Sequence, residues 1–221
     1  MKRNAVLTVL VLSAGASGSM AMQITLVGSH LNVVYDTANV GLFGAPILSG
    51  DNISWSPAAS FEAKSSSQGG PTTKYSQTQI TIIAHTNFAL STLAYSEGGT
   101  YYRVASGLVS ATGAVDVAPF VPPALPIHVN FTTNALAATG GTTPTPWSVT
   151  VPTILLPAFT TKVSFDVSDS LKAFGGITEI KKLNPLLLVT VVSTIPEPES
   201  YAMMISGLLA LGLVFRRRRQ D

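Results

Sequence analysis

The chain reads as an all-β protein, an antiparallel β-sandwich of jelly-roll or Greek-key type. Three observations lead there. Apolar and polar residues alternate with a period of two in several stretches, as strands that bury one face require. Charged residues make up only 11% of the chain while hydrophobic ones reach 46%. No stretch shows the Glu/Lys-rich outer face of an amphipathic helix. Turn-forming Gly (18) and Pro (14) are spread between the alternating runs, so tight connections are expected throughout.

The N-terminus is set apart from this pattern. Lys2 and Arg3 form a basic start, Ala5 to Leu12 is an apolar run broken only by Thr8, and small residues follow. Ser19 and Ala21 flank Met20 in a small-x-small pattern that suits signal peptidase. Residues 1–21 are therefore expected to be a signal-peptide helix that is removed on export. The apolar run is too short to span a bilayer stably. With no Cys in the chain, lipid attachment is excluded.

The body, 22–195, is expected to be one domain, since that length can bury a substantial core. Weak strands are predicted at 23–28, 31–35, 53–55, 88–95 and 100–110. Clearer ones follow from alternation. Thr78, Ile80 and Ile82 share one face against Gln77, Gln79 and Thr81. Ile127, Val129 and Phe131 oppose His128 and Asn130. Trp147, Val149 and Val151 oppose Ser148 and Thr150, which places Trp147 in the core. Val163, Phe165 and Val167 oppose Ser164 and Asp166. Leu186 to Val192 is apolar throughout except for Thr190 and reads as a central strand. Ser65 to Pro71, Pro119 to Pro126 and Thr139 to Pro146 read as loops. Glu97-Gly98-Gly99 reads as a tight hairpin turn and Asp169 to Phe174 as one helical turn.

Composition removes several function classes. Six of the thirteen basic residues and three of the eleven acidic ones lie in the terminal segments, which leaves seven against eight in the body. That balance gives nucleic-acid binding no electrostatic footing. Without Cys there is no disulfide, thiol nucleophile or thiolate metal site. His30, His85 and His128 show no metal-ligand spacing, and the phosphate-loop, dinucleotide and esterase-elbow motifs are absent. No carboxylate pair stands out for glycoside hydrolysis. Asp166 and Asp169 are the weak candidates for a calcium site, with Asp169 otherwise a turn cap. Trp55, Trp147, Tyr101 and Tyr102 are candidates for a sugar-stacking platform, with one of the two tyrosines buried and the other exposed. No cofactor is expected, and no enzymatic activity.

The C-terminal segment 196–221 carries the most specific pattern. Pro196 and Pro198 hold the backbone extended around Glu197. Tyr201 to Phe215 is uncharged and apolar all round, and Arg216, Arg217, Arg218 and Arg219 follow at once. A helix over 201–215 would span about 22 Å at ~1.5 Å per residue, against a hydrocarbon core of ~30 Å. Flanking Tyr201 and snorkelling arginines extend its reach. The arginines act as a membrane stop on the cytoplasmic side.

This segment resembles the PEP-CTERM sorting signal of Gram-negative bacteria. The resemblance rests on Pro196-Glu197-Pro198, the apolar 201–215 run with its Gly-Leu-Leu-Ala-Leu-Gly-Leu centre, and Arg216–Arg219. One position departs: Glu199 follows the motif where a small Ser or Thr is common, and Ser200 comes one place later. The resemblance implies recognition and cleavage by a membrane exosortase, transient residence in the inner membrane, and delivery to the cell surface or extracellular matrix. It further implies association with exopolysaccharide, biofilm or floc formation. The expected role of the body is structural or interactive. The alternative is a secreted glycan-binding module assisted by calcium.

Overall fold

The computed structural model describes residues 21–66, 70–104, 107–120, 124–134, 136–195 and 203–208. Among them are fourteen strands in two antiparallel sheets. One sheet runs, from edge to edge, β1 (Gln23–Val27), β2 (Leu31–Asp36), β6 (Thr72–Ala84), β12 (Lys162–Phe174), β8 (Leu108–Pro119) and β9 (Ile127–Thr132). The other runs β3 (Pro46–Ser49), β4 (Asn52–Trp55), β14 (Leu186–Ser193), β7 (Phe88–Arg103), β13 (Thr178–Lys182) and β5 (Glu62–Ser65). β10 (Thr145–Thr150) and β11 (Ile154–Leu155) join the second sheet through β7. The sheets face each other across one core. Tyr95 of β7 meets Phe131 of β9 and Phe165 of β12, with ring centroids 6.0 and 5.9 Å apart. Burying side chains of this size contributes about 1.5–3 kcal/mol each.

Alternation explains which residues fill that core. On β12, Val163, Phe165, Val167, Asp169, Leu171 and Ala173 are all buried, while Ser164, Asp166, Ser168 and Ser170 lie on the outer face. On β6, Ser76, Thr78, Ile80 and Ile82 point inward. The expected strands at 77–82, 127–131, 147–151, 163–167 and 186–192 are all present, and Trp147 is buried. Tyr101 is buried as expected, whereas Tyr102 on the opposite face is half-buried rather than exposed.

Two expected breaks are strand instead. Glu97-Gly98-Gly99 lies inside the 16-residue β7. That strand pairs along one edge with β14 and then β13, and along the other with β11 and then β10. The glycines mark where both neighbours close in. A Cβ on Gly99 would fall 1.8 Å from the Lys181 carbonyl oxygen, and one on Gly98 would fall 2.7 Å from that of Trp147. Asp169 to Phe174 is likewise the second half of β12, not a helical turn. The chain turns only at Gly175 and Gly176, whose φ of 64° and 62° suit glycine. It crosses there to the opposite sheet as β13.

The body is tied down near both of its expected limits. Met22 exchanges hydrogen bonds with Thr37, donating to Oγ1 at 3.2 Å and accepting from its amide at 3.1 Å. The Thr194 amide donates to the Asn87 carbonyl at 2.8 Å. Of the expected terminal helices, only 203–208 is described, and it is helical. Among the described residues no helix is long and apolar enough to cross a membrane. Ser19, Pro196, Glu197, Pro198, the rest of 201–215 and Arg216–Arg219 lie outside the described residues.

Candidate functional site

Three charged side chains meet in the core between the sheets. The same two-residue period that buries Leu93 and Tyr95 on β7 also turns Glu97 inward. The period of Thr178 and Ile180 does the same for Lys182 on β13, and that of Val167 and Leu171 for Asp169 on β12. Glu97 is 2% exposed, and Asp169 and Lys182 are 0% exposed. Charged groups sealed this completely are rare and need partners.

The partners are mutual. Lys182 Nζ contacts Glu97 Oε2, and it lies 2.6 Å from Asp169 Oδ2. The Tyr95 hydroxyl donates to Glu97 Oε2 at 2.8 Å. Aromatic rings close the site. Nζ sits 4.2 Å from the Phe43 ring centroid and 5.2 Å from that of Phe61. Phe43 packs edge-on against Trp55 and Phe61. Polar satisfaction is incomplete. Glu97 Oε1 accepts no hydrogen bond, and neither Asp169 oxygen sits in hydrogen-bond geometry despite the close Nζ.

The electrostatics follow from one cation facing two carboxylates. Burial, reinforced by the Asp169 charge and opposed by Lys182, pushes the Glu97 carboxyl up to about 7. Burial, together with Glu97, holds the Tyr95 phenol well above its usual value. A carboxyl poised near neutrality can take up or release a proton at this buried contact.

The sequence-predicted site residues fare differently. Asp166 and Asp169 do not converge. Three residues apart on one strand, they lie on opposite faces, and the turn-cap reading of Asp169 fails with them. Asp166 accepts from Gln77 Nε2 at 2.7 Å beside a shallow polar groove with Asn39 and Gln79. Its carboxyl is raised by burial, against the lowering effect of Gln77. Among the described residues no group of three His, Asp or Glu side chains is placed to hold a metal ion. The histidines have separate partners: Asp51 for His30 at 2.7 Å, Asn32 for His85 at 2.9 Å, and Asp116 for His128 at 2.6 Å. Trp55, Trp147 and Tyr101 are buried, which removes them from any sugar-stacking platform. Ala21 is exposed just before β1.

Glu97 and Lys182 were not singled out by sequence. The signal existed, since each charge falls in phase with a buried apolar alternation. It was masked at Glu97 by the glycines that follow and at Lys182 by the neighbouring Lys181.

The chain thus joins a sealed β-body to a C-terminal segment of the kind that directs an exported protein to its destination. The family whose model matches is the PEP-CTERM protein-sorting motif, over residues 194–219. The tail therefore marks the chain for exosortase recognition and for export to the surface of a Gram-negative cell. No curated protein matches the chain. Among solved structures, that of infectious bursal disease virus Gt strain aligns at 14% identity with a TM-score of 0.18, covering 79% of this chain and 54% of that one. The chain spans about half the length of that protein, and a likeness of this order assigns neither fold nor activity.

Proposed function

We propose that the chain is a non-enzymatic component of the cell surface or extracellular matrix, released there by exosortase and associated with exopolysaccharide, biofilm or floc formation. The observation that carries this reading is the position of the sorting motif. It begins at residue 194, directly behind the last strand, which ends at Ser193. The folded unit and the address segment therefore abut, and cleavage near Pro196-Glu197-Pro198 would free a complete body. In this reading signal peptidase removes 1–21, the 201–215 helix holds the chain in the inner membrane until cleavage, and 22–195 is the delivered domain, a sandwich of jelly-roll or Greek-key type. The alternative of a calcium-assisted glycan-binding module loses support from the buried aromatics and from the separation of Asp166 and Asp169.

The test is intact-mass measurement and fractionation of the protein from native cells with and without the exosortase. The expected result is an external form that begins near Met22, ends near Pro198 and disappears without the exosortase. Persistence of the full tail in the inner membrane of both strains would overturn the reading and make the segment a permanent anchor.

A further inference from the structure

The geometry points to an autocatalytic covalent cross-link, independent of the sorting reading: an amide between Lys182 Nζ and Asp169 Cγ, formed with Glu97 as the proton carrier. The bond would join β13 of one sheet to β12 of the other through the middle of the core.

The site supplies what amide condensation needs. The amine and the acid are brought into contact by folding, so the step is intramolecular. The lysine is fully buried and ringed by Phe43 and Phe61, so no bulk water competes with the acid for the amine. Glu97 touches Nζ and is held by the Tyr95 hydroxyl, so a base stands beside the proton that must leave. Its carboxyl, raised by burial, can both take and return a proton near neutral pH. Asp169 is the acceptor because its oxygens hold no hydrogen bonds, whereas Glu97 is engaged by Tyr95.

The steps balance. The Lys182 ammonium gives one proton to the Glu97 carboxylate. The freed lone pair attacks Asp169 Cγ, and the N–C bond forms as the carboxyl π electrons move to oxygen. Glu97 returns its proton to the departing oxygen, a second nitrogen proton follows, and the C–O bond breaks. Two of the three ammonium protons thus leave with one carboxylate oxygen as water, and the third stays on the amide nitrogen. Glu97 ends as it began, and nothing is oxidised or reduced. The driving force is physical. A buried cation and a buried anion, each costly to keep out of water, are replaced by a neutral amide, and the water is expelled from an apolar site. The exported chain has no cysteine, so this bond would take the place a disulfide holds in other exported proteins.

The test is a peptide map of the purified full chain, unfolded and then digested with trypsin. The expected result is that cleavage fails after Lys182. A branched peptide should join 163–172 to the segment beginning at Lys182, lighter than the two together by one water. Glu97→Gln and Asp169→Ala each leave one cation against one carboxylate, so both should keep the β-sheet circular dichroism spectrum while giving only linear peptides cut after Lys182. Linear peptides from folded wild-type protein would overturn the proposal. A branch ending on Glu97 would overturn the acceptor, and a branch that survives in E97Q would overturn the proton carrier. If either variant fails to fold, the wild-type map still decides whether the bond exists.

Discussion

Two clusters in this molecule have the same composition and opposite surroundings. On the surface, Lys64 of β5 lies 3.0 Å from Glu62 and 3.2 Å from Glu179 of β13. In the core, Lys182, three residues beyond Glu179, meets Glu97 and Asp169. Each is one lysine between two carboxylates. The Lys64 side chain is 54% exposed and its carboxylate partners Glu62 and Glu179 are 26% and 20% exposed, so water reaches all three and the pairing adds little. Around Lys182 there is no such solvent. The same contacts there replace hydration, and losing the lysine strands both carboxylates. The difference shows that an ion pair's worth is set by where it sits and not by its distances. β13 makes the point within a single strand, since Glu179 faces out and Lys182 faces in.

The sharpest way to break the comparison is Lys182→Met, which strands both core carboxylates. Chemical denaturation should show a loss of about 3–5 kcal/mol or failure to fold. The loss should be smaller in acid. Glu97 has a folded pKa raised from 4.5 to about 7, and removing Lys182 raises it further. The native state then binds more protons than the unfolded state above pH 4.5, so stability falls as pH rises through that window. A loss independent of pH would contradict this account. Lys64→Met is the matched surface change. It should cost less than about 1 kcal/mol, and the cost should fade in high salt. A core-sized loss there would erase the distinction between the clusters.

The smallest effect is expected at His128, which is exposed. Its pKa is raised from 6.5 chiefly by its hydrogen bond to Asp116. The contribution is therefore fully present below pH 6.5 and is lost as pH rises through the raised value. Comparing the melting temperature of His128→Gln with wild type at both ends of that range should show a slight difference in acid and none in alkali.

Local features were legible in the sequence and non-local ones were not. The sorting tail is a linear pattern, and a linear reading found it. The strands around Phe165 and Val129 are legible because alternation is local, and the one around Leu188 because an apolar run is local too. Legibility failed where tertiary structure reverses a local rule. Gly98 and Gly99 look like a turn in isolation, yet they are the places where β10 and β13 press on β7. Glu97, Asp169 and Lys182 look like surface charges, and each is buried only because the other two are. Asp169 shows the cost most plainly. Continuing the Val163-Phe165-Val167 alternation by one step places it inside, but without a visible partner a buried aspartate is an implausible reading.

Strand order also bears on how the chain can mature. β12 lies between β6 and β8 in the middle of its sheet, and β14 lies between β4 and β7 in the other. Both therefore come from the last stretch of the body, Lys162–Ser193. A chain that emerges on the far side of a membrane N-terminus first can form the β1–β2 and β8–β9 hairpins early, but neither sheet can close until these late strands arrive. Such long-range pairing is slow. The body should therefore stay threadable during translocation and acquire protease resistance only when 162–193 has emerged, with the sorting segment directly behind it.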